Sequence, residues 1–223
     1  MSTRRRARAV DVWWLWVDEE GRGGPGDWDL LDASERERAS RFHFERHRRE
    51  FVAARAELRR LVGEWTDIAP GDVPLAYGEA GKPAVAADAE LHFNVSHSEG
   101  LAAYAVTRVC PIGIDVERVR TVPDFDDIAA RYFTREERRR IRQRPTDEHA
   151  EAFLQVWVAR EAVVKATGQG IGALEGEHTR DRGPGWTVSS LELPPGYVGA
   201  LALANPAPVT LRGPRRAGAP LAR

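Results

Sequence analysis

The stretch Pro111-Ile112-Gly113-Ile114-Asp115-Val116-Glu117 lies at the middle of the 223-residue chain. Its apolar residues alternate with glycine and two acids, which predicts a β-strand with Asp115 and Glu117 on the same face. Two such carboxylates lie about 7 Å apart and repel each other. A solvated acidic strand face is one interpretation. The other is a site for Mg²⁺, a hard cation that binds one or two carboxylates together with waters and phosphates.

Composition indicates a globular protein. Hydrophobic residues make up 42% of the chain and charged residues 30%, and the length is sufficient for one large domain or two small ones. The net charge of −1 provides no overall attraction for nucleic acid, so any basic site must be local. The single cysteine, Cys110, excludes an internal disulfide and is typical of a reducing compartment. We expect Cys110 to be buried and structural.

The chain begins with arginines followed by the apolar run Val10–Val17. This run is too short to span a membrane, contains Asp11 and lacks a small-residue cleavage site. We therefore expect residues 1–9 to form a disordered tail that leads into a strand. We also expect a cytoplasmic protein with no membrane partner.

The order of predicted elements is repeated along the chain, which predicts two similar α+β halves. The first half contains a strand at Val10–Val17, helices at Ser34–Arg38 and Phe51–Trp65, and a hairpin of Leu91–Ser96 and Leu101–Val106. The second half contains strand 112–117, helices at Phe125–Tyr132 and Asp147–Thr167, and strands at Trp186–Leu193 and Tyr197–Leu203. We place the halves at residues 1–109 and 110–204, followed by a loose Pro-, Gly- and Arg-rich tail at 205–223.

Basic and polar residues supply candidate anion ligands in the first half. Nine arginines and five glutamates lie between Ser34 and Arg60. Most of these arginines fit a solvated helical surface, and a subset directed at phosphates is the alternative. The Gly-rich turn before Pro83 constrains Lys82. Ser96 and His97 end a strand, where they form either a polar turn or a pair of phosphate donors.

The long helix of the second half carries an acid and a base on its apolar stripe. Phe153, Trp157, Glu161 and Lys165 recur every four residues and therefore share one face. The aromatic residues should bring Glu161 and Lys165 near the interior or a cleft. An ordinary surface ion pair is the alternative.

These segments, taken together, resemble a known family. The segments are Phe42–Arg46, Gly81–Pro83, Phe93–Ser98, Ile112–Glu117 and Trp157–Lys165. In this order and at these separations they resemble the 4′-phosphopantetheinyl transferases of the surfactin-synthetase-activating type. The resemblance extends from about Leu30 to Ile171.

The resemblance implies a monomeric pseudo-dimer of two α/β halves, with the active site in the cleft between them. It also implies a reaction in which phosphopantetheine passes from coenzyme A to a serine of an apo acyl- or peptidyl-carrier protein, releasing adenosine 3′,5′-bisphosphate. Mg²⁺ is the implied cofactor, and nucleic acid is not an expected partner.

The resemblance also assigns roles to individual residues. The implied metal ligands are Asp115, Glu117 and Glu161. The implied coenzyme A contacts are Arg38, Arg46, Lys82, Pro83, Ser96, His97 and Lys165. Glu161 is the candidate general base and Lys165 the group that neutralises or protonates the departing phosphate.

Two positions depart from the family pattern. Arg160 stands where the family usually has lysine, and His47 replaces a common aspartate, which leaves Arg46, Arg48 and Arg49 as alternative phosphate ligands.

Two other functions remain open: a Mg²⁺-dependent phosphohydrolase that uses the same acids, and a nucleic-acid binder that uses the Arg-rich helices.

Overall fold

The computed structural model describes residues 9–78, 81–86, 88–168, 185–204 and 209–217. The elements of the first half are β1 (Ala9–Trp16), α1 (Pro25–Trp28), α2 (Ala33–Ser40), α3 (Glu45–Thr66), β2 (Leu75–Tyr77), β3 (Pro83–Val85), β4 (His92–Ser98) and β5 (Leu101–Thr107). The remaining elements are β6 (Ile112–Arg118), α4 (Phe125–Tyr132), α5 (Arg135–Arg142), α6 (His149–Thr167), β7 (Trp186–Ser190), β8 (Tyr197–Ala204) and β9 (Thr210–Arg216).

Two sheets with matching topology confirm the prediction of a mixed fold in two halves. The first sheet has the order β4-β5-β1-β9 and the second β6-β8-β7, while β2 and β3 form a separate hairpin. In each half the first strand pairs antiparallel with the last strand of the following hairpin. β1 therefore corresponds to β6, and the β4–β5 hairpin to β7–β8.

Each half buries one long helix against its sheet. In the first half, the stripe on α3 that includes Leu58, Leu61 and Trp65 belongs to one buried cluster with sheet residues such as Phe93 and Tyr104. This arrangement follows from the helical spacing of the apolar residues.

In the second half, α6 approaches β6 unusually closely. A Cβ atom at Gly113 would lie 1.9 Å from the carbonyl oxygen of Ala162. Glycine is therefore required at this position of the strand, because any side chain would push the helix away. The contact sets α6, which carries Glu161 and Lys165, directly against β6, which carries Asp115.

Side chains of β4 join the edges of the two sheets. Asn94 Oδ1 accepts a hydrogen bond of 2.8 Å from the amide of Ile114, and Ser96 Oγ accepts one of 3.4 Å from the amide of Val116. Ser98 Oγ similarly accepts a 3.2 Å bond from the next alternate amide of β6. These alternate residues satisfy strand-edge donors that would otherwise lack partners at the junction.

The expectation of a loose tail at residues 205–223 is wrong for Thr210–Arg216, which form β9. This strand pairs parallel with β1, and Arg215 lies 4.7 Å from the ring centre of Trp13 and 3.5 Å from the buried Asp11. The arginines that suggested a solvated tail therefore compensate a buried carboxylate. The expected N-terminal tail covers residues 1–9. Ala9 instead begins β1, and residues 1–8 lie outside the described ranges.

Cys110 is buried, as expected. None of the helices in the described ranges is both long and apolar enough to cross a membrane.

Candidate functional site

A cleft of about 830 Å³ opens between the two halves. Its walls include Arg38, Arg55, Lys82 and His97 from the first half, and Glu161 and Lys165 from the second. The cleft is thus bounded by cations on one side and by the acid-bearing helix α6 on the other.

Asp115 lies beside the cleft in a charged hydrogen-bond network. Its Oδ1 accepts a 2.7 Å bond from Ser96 Oγ and lies 2.6 Å from Lys165 Nζ. Lys165 also donates to Ser96 Oγ at 2.9 Å. Asp115 is only 4% exposed, so these charge-assisted bonds compensate the loss of hydration.

Two further carboxylates lie near enough to interact with Asp115. Burial raises the pKa of Glu161, and the charges of Asp115 and Glu117 raise it further, against the opposing effect of Lys165. Burial and the charge of Asp115 likewise raise the pKa of Glu117. Glu117 Oε2 accepts a 2.7 Å bond from Ser98 Oγ. Asp115 is therefore within electrostatic range of both Glu117 and Glu161.

The donor set has the chemistry that a divalent cation requires. Asp115 Oδ2 and Glu161 Oε1 are buried, and neither has a hydrogen-bond partner among the described residues. Buried carboxylate oxygens without partners are costly and provide the hard ligands that Mg²⁺ prefers. Within the described ranges, however, no group of three or more His, Cys, Asp or Glu side chains forms a ready-made metal site. Lys165 already donates a hydrogen bond to one carboxylate oxygen of Asp115, and Ser98 already donates one to a carboxylate oxygen of Glu117.

An aromatic and arginine wall forms the other side of the cleft. The guanidinium groups of Arg38 and Arg55 lie 5.3 and 5.5 Å from the ring centre of Phe51, and Arg55 also lies 5.3 Å from the ring of Tyr77. The NH1 atom of Arg55 is buried and has no hydrogen-bond partner in the described part of the chain. A donor of this kind is suited to an anionic ligand.

Glu35 holds the guanidinium group of Arg55 in position through an ion pair. Its Oε1 lies 3.5 Å from Arg55 Nε and accepts a 2.8 Å bond from the Tyr77 hydroxyl, while its Oε2 accepts a 2.6 Å bond from the fully buried Arg59. Glu35 also completes the capping box with Asp32 at the start of α2. Sequence analysis did not single out Arg55. Its position one helical turn before Leu58, on the cleft side of α3, was the available signal.

His97 projects into the cleft among these cations. Desolvation by surrounding protein lowers the pKa of His97, and the charges of Lys165, Arg55 and Arg38 lower it further. The residue as a whole is nevertheless exposed to solvent. A neutral imidazole that gains a proton when an anion arrives is consistent with the phosphate contact expected at this position.

The other expected coenzyme A contacts have different surroundings. Pro83 lines the cleft, whereas Arg46 is 76% exposed and lies 3.2 Å from Glu50. The structure does not bring Arg46 into the cleft; of its neighbours, His47 lines it. The hydroxyl of Ser96 is directed at Asp115 instead of the open cleft.

Arg160, which departs from the family pattern, pairs with a residue that is not one of the three candidate metal ligands. Arg160 is 5% exposed and donates a 2.6 Å bond to Glu137, the capping-box residue at the start of α5. It also lies 5.7 Å from the ring centre of Phe133. Arginine at this position therefore fastens α5 to α6.

The arrangement combines a cation-lined cleft with two buried carboxylate oxygens that have no hydrogen-bond partner in the part of the chain that the structure describes. Such a site can hold a polyanion, neutralise charge that develops on phosphate oxygens and accept a proton from an incoming hydroxyl.

Family models match both halves of the chain. A model of the 4′-phosphopantetheinyl transferase superfamily matches residues 111–195, and a model of the 4′-phosphopantetheinyl transferase N-terminal region matches residues 27–108. The two matches together include Arg38, Arg55, Lys82 and His97 of the first half and the acids and Lys165 of the second.

Individual relatives agree with these models. The 4′-phosphopantetheinyl transferase HetI of Nostoc sp. is 40% identical over 148 residues, which are 65% of this chain and 62% of that protein. A 4′-phosphopantetheinyl transferase of Bacillus subtilis is 29% identical over 75% of this chain and 73% of its own length. The Bacillus subtilis transferase Sfp is 25% identical over 79% of this chain and 84% of its own length. The chain thus spans less than two thirds of HetI.

Both halves match the same family in chain order, and the matched regions contain the acids and cations that the structure brings together. The chain belongs to the 4′-phosphopantetheinyl transferase superfamily.

Proposed function

We propose that the protein transfers the 4′-phosphopantetheine group from coenzyme A to a serine hydroxyl of an apo acyl- or peptidyl-carrier protein, as an enzyme of the surfactin-synthetase-activating type. Adenosine 3′,5′-bisphosphate is the second product. The observation that carries this proposal is the meeting of Asp115, Glu161 and Lys165 at a cleft whose opposite wall contains Arg38 and Arg55.

The cationic wall would bind and orient the donor. Arg38, Arg55 and His97 face the cleft together, so they form the subsite for the phosphate groups of coenzyme A. Binding energy from these nonreacting groups fixes the pyrophosphate relative to the acids, which is the main contribution to phosphoryl-transfer catalysis.

Lys165 would stabilise the departing phosphate. Its ammonium group is held at 2.6 Å from Asp115 and remains 30% exposed toward the cleft. It can therefore meet the oxygen on which negative charge develops when the pyrophosphate breaks.

Glu161 would accept the proton of the attacking serine. Glu161 lines the cleft one helical turn from Lys165, which places its carboxylate where a serine hydroxyl that enters the cleft can deliver its proton. The serine belongs to the carrier protein, so the enzyme itself requires no nucleophile.

Asp115 and Glu161, with Glu117 beside them, would hold Mg²⁺ through the two oxygens for which the described residues provide no hydrogen-bond partner. When bound, the ion supplies Lewis-acid stabilisation of the pyrophosphate and removes the repulsion among the three carboxylates. We further propose that the protein works as a cytoplasmic monomer and that its partners do not include nucleic acid. A single cysteine supports the cytoplasmic location, and a near-neutral net charge supports the exclusion of nucleic acid.

The function is tested by incubating the purified protein with Mg²⁺, coenzyme A and a panel of apo carrier proteins, with intact mass as the readout. The expected result is a gain of one phosphopantetheine group on at least one carrier. Consumption of coenzyme A at the same rate without carrier would instead establish a phosphohydrolase. If coenzyme A binds normally and no carrier in a panel of acyl- and peptidyl-carrier domains gains mass, the proposal is refuted.

A further inference from the structure

Lys82 is bound to backbone carbonyl groups of the other half of the molecule. Its Nζ donates to the carbonyl oxygens of Lys165 at 2.7 Å, Ala166 at 3.2 Å and Ile112 at 3.1 Å. An ammonium group has three N–H donors, and three acceptors are present. Lys82 therefore has no donor left for a ligand unless it releases one of these carbonyls, although it belongs to a motif that implied a coenzyme A contact.

The carbonyls that Lys82 contacts belong to the two elements that carry the acid cluster. Lys165 and Ala166 form the last turn of α6, where backbone carbonyls lack partners within the helix and the helix dipole is negative. Ile112 begins β6, three residues before Asp115. One ammonium group thus joins the end of the helix that bears Glu161 and Lys165 to the start of the strand that bears Asp115.

The composition of the chain indicates why lysine occupies this position. Only two of the 33 basic residues are lysines, namely Lys82 and Lys165. A compact ammonium group can point its three donors at three carbonyls around one small site, whereas a planar guanidinium group cannot. In a chain that otherwise uses arginine, the two lysines stand where a point-like cation is surrounded by oxygen atoms.

We infer that Lys82 is a positioning residue that fixes α6 against β6 and thereby sets the distance between Glu161 and Asp115. This inference rests on the proposed transferase function for its kinetic consequence, but its structural part is independent of that function. Burial lowers the pKa of Lys82 to about 8, which agrees with an amine enclosed by protein.

The test compares Lys82→Met, which removes all three donors, with Lys82→Arg, which keeps the charge. Arg140→Met serves as the control, because Arg140 is 73% exposed and pairs with Glu136 on α5. For each variant the measurements are backbone hydrogen exchange, the Kd of coenzyme A without metal, and kcat on a carrier protein. Hydrogen exchange and coenzyme A affinity report on the role of Lys82 even if the protein transfers no phosphopantetheine to a carrier.

For both Lys82 variants we expect faster amide exchange in residues 163–168, with the Kd of coenzyme A changed by less than about threefold. We expect kcat to fall on the order of 10²-fold, because small displacements of catalytic groups are that costly. The control should resemble the original protein.

Either of two results would overturn the inference. One is a coenzyme A Kd at least about tenfold weaker with unchanged exchange in α6, which would make Lys82 a ligand for phosphate. The other is full activity and normal exchange in Lys82→Arg. If the unaltered protein transfers nothing but both variants still loosen the end of α6, the proposed function fails while the structural role of Lys82 stands.

Discussion

The two carboxylate oxygens of Asp115 have different surroundings. Through them, Asp115 joins the two halves of the site. Oδ1 is held by Ser96 and Lys165, whereas the buried Oδ2 has no partner among the residues that the structure describes. The first oxygen fixes the orientation of the side chain, and the second is available to a cation. Under the proposed assignment, this division would let one residue both position Lys165 and bind Mg²⁺.

Replacing Asp115 with asparagine should therefore abolish most turnover without unfolding the protein. The side-chain volume is retained, but the negative charge next to Lys165 and the hard ligand are lost, so we expect a rate at least about 100-fold lower. Carrier modification at increasing Mg²⁺ concentrations is the measurement. Glu45→Gln, on an acid that is 63% exposed, is the matched control. Near-normal rates at saturating Mg²⁺ would contradict the ligand assignment.

His97 provides a test by pH titration. Burial and the nearby cations lower its pKa below the ordinary value of 6.5. The unfolded chain then binds the proton more readily, so this group reduces stability as the pH falls through 6.5. Binding of adenosine 3′,5′-bisphosphate should raise the pKa, which NMR of the imidazole can follow. An unchanged pKa in the saturated complex would remove His97 from the phosphate subsite.

Residue types and spacing predicted which side chains share a face, but not which distant side chains they contact. The period of two in β6 and the period of four in α6 placed the acids and Lys165 correctly on shared faces. Neither pattern could reveal that Ser96 faces Asp115 or that Lys82 binds carbonyl groups, because these partners lie far away in the chain. Arg55 was missed for the same reason, since its selection depends on Glu35 and Tyr77.

At the scale of elements, the packing of α6 on β6 determines the geometry of the acid cluster. Gly113→Ala would place a methyl group against the helix backbone near Ala162, and neither element can move without disturbing the other contacts. We expect a loss of about 1–3 kcal/mol in the free energy of unfolding, together with reduced kcat. Chemical denaturation and carrier kinetics are the measurements.

Gly71→Ala is the control for that substitution, because a Cβ at Gly71 meets no atom within 4 Å. Equal stability of the two variants would show that the close approach at Gly113 is unimportant. Reduced kcat with unchanged coenzyme A affinity in Gly113→Ala would support the role of the contact in spacing Asp115 from Glu161.

The helices and strands were predictable where local signals were strong. The residues Thr134 and Glu137 form a capping box that starts α5, and Gly168 ends α6 in the left-handed conformation. β9 was not predictable, because its composition is typical of a loose segment. Its order comes from pairing with β1 and from charge compensation of Asp11, which are nonlocal interactions.

At the scale of the whole molecule, β9 returns the chain from the second half to the sheet of the first. Deleting residues 209–223 should expose the edge of β1 and leave buried Asp11 without Arg212 and Arg215. We expect a lower Tm and weaker coenzyme A binding, because the cleft depends on both halves. Calorimetry with and without coenzyme A is the measurement, and an unchanged Tm would contradict a structural role for β9.

In the proposed reaction the two halves have different roles, and the cleft between them is where coenzyme A and the carrier protein would meet. The first half contributes cations and the second half contributes acids and Lys165. This division also accounts for the side-chain contacts across the junction, since small changes in the relative position of the halves would separate the parts of the site.

The most direct test is to measure, in one reaction with Mg²⁺ and coenzyme A, the adenosine 3′,5′-bisphosphate released and the carrier protein that gains mass. The account predicts equal amounts of the two products and neither product with a carrier that lacks its acceptor serine. Release of the nucleotide without modification of the carrier would contradict it.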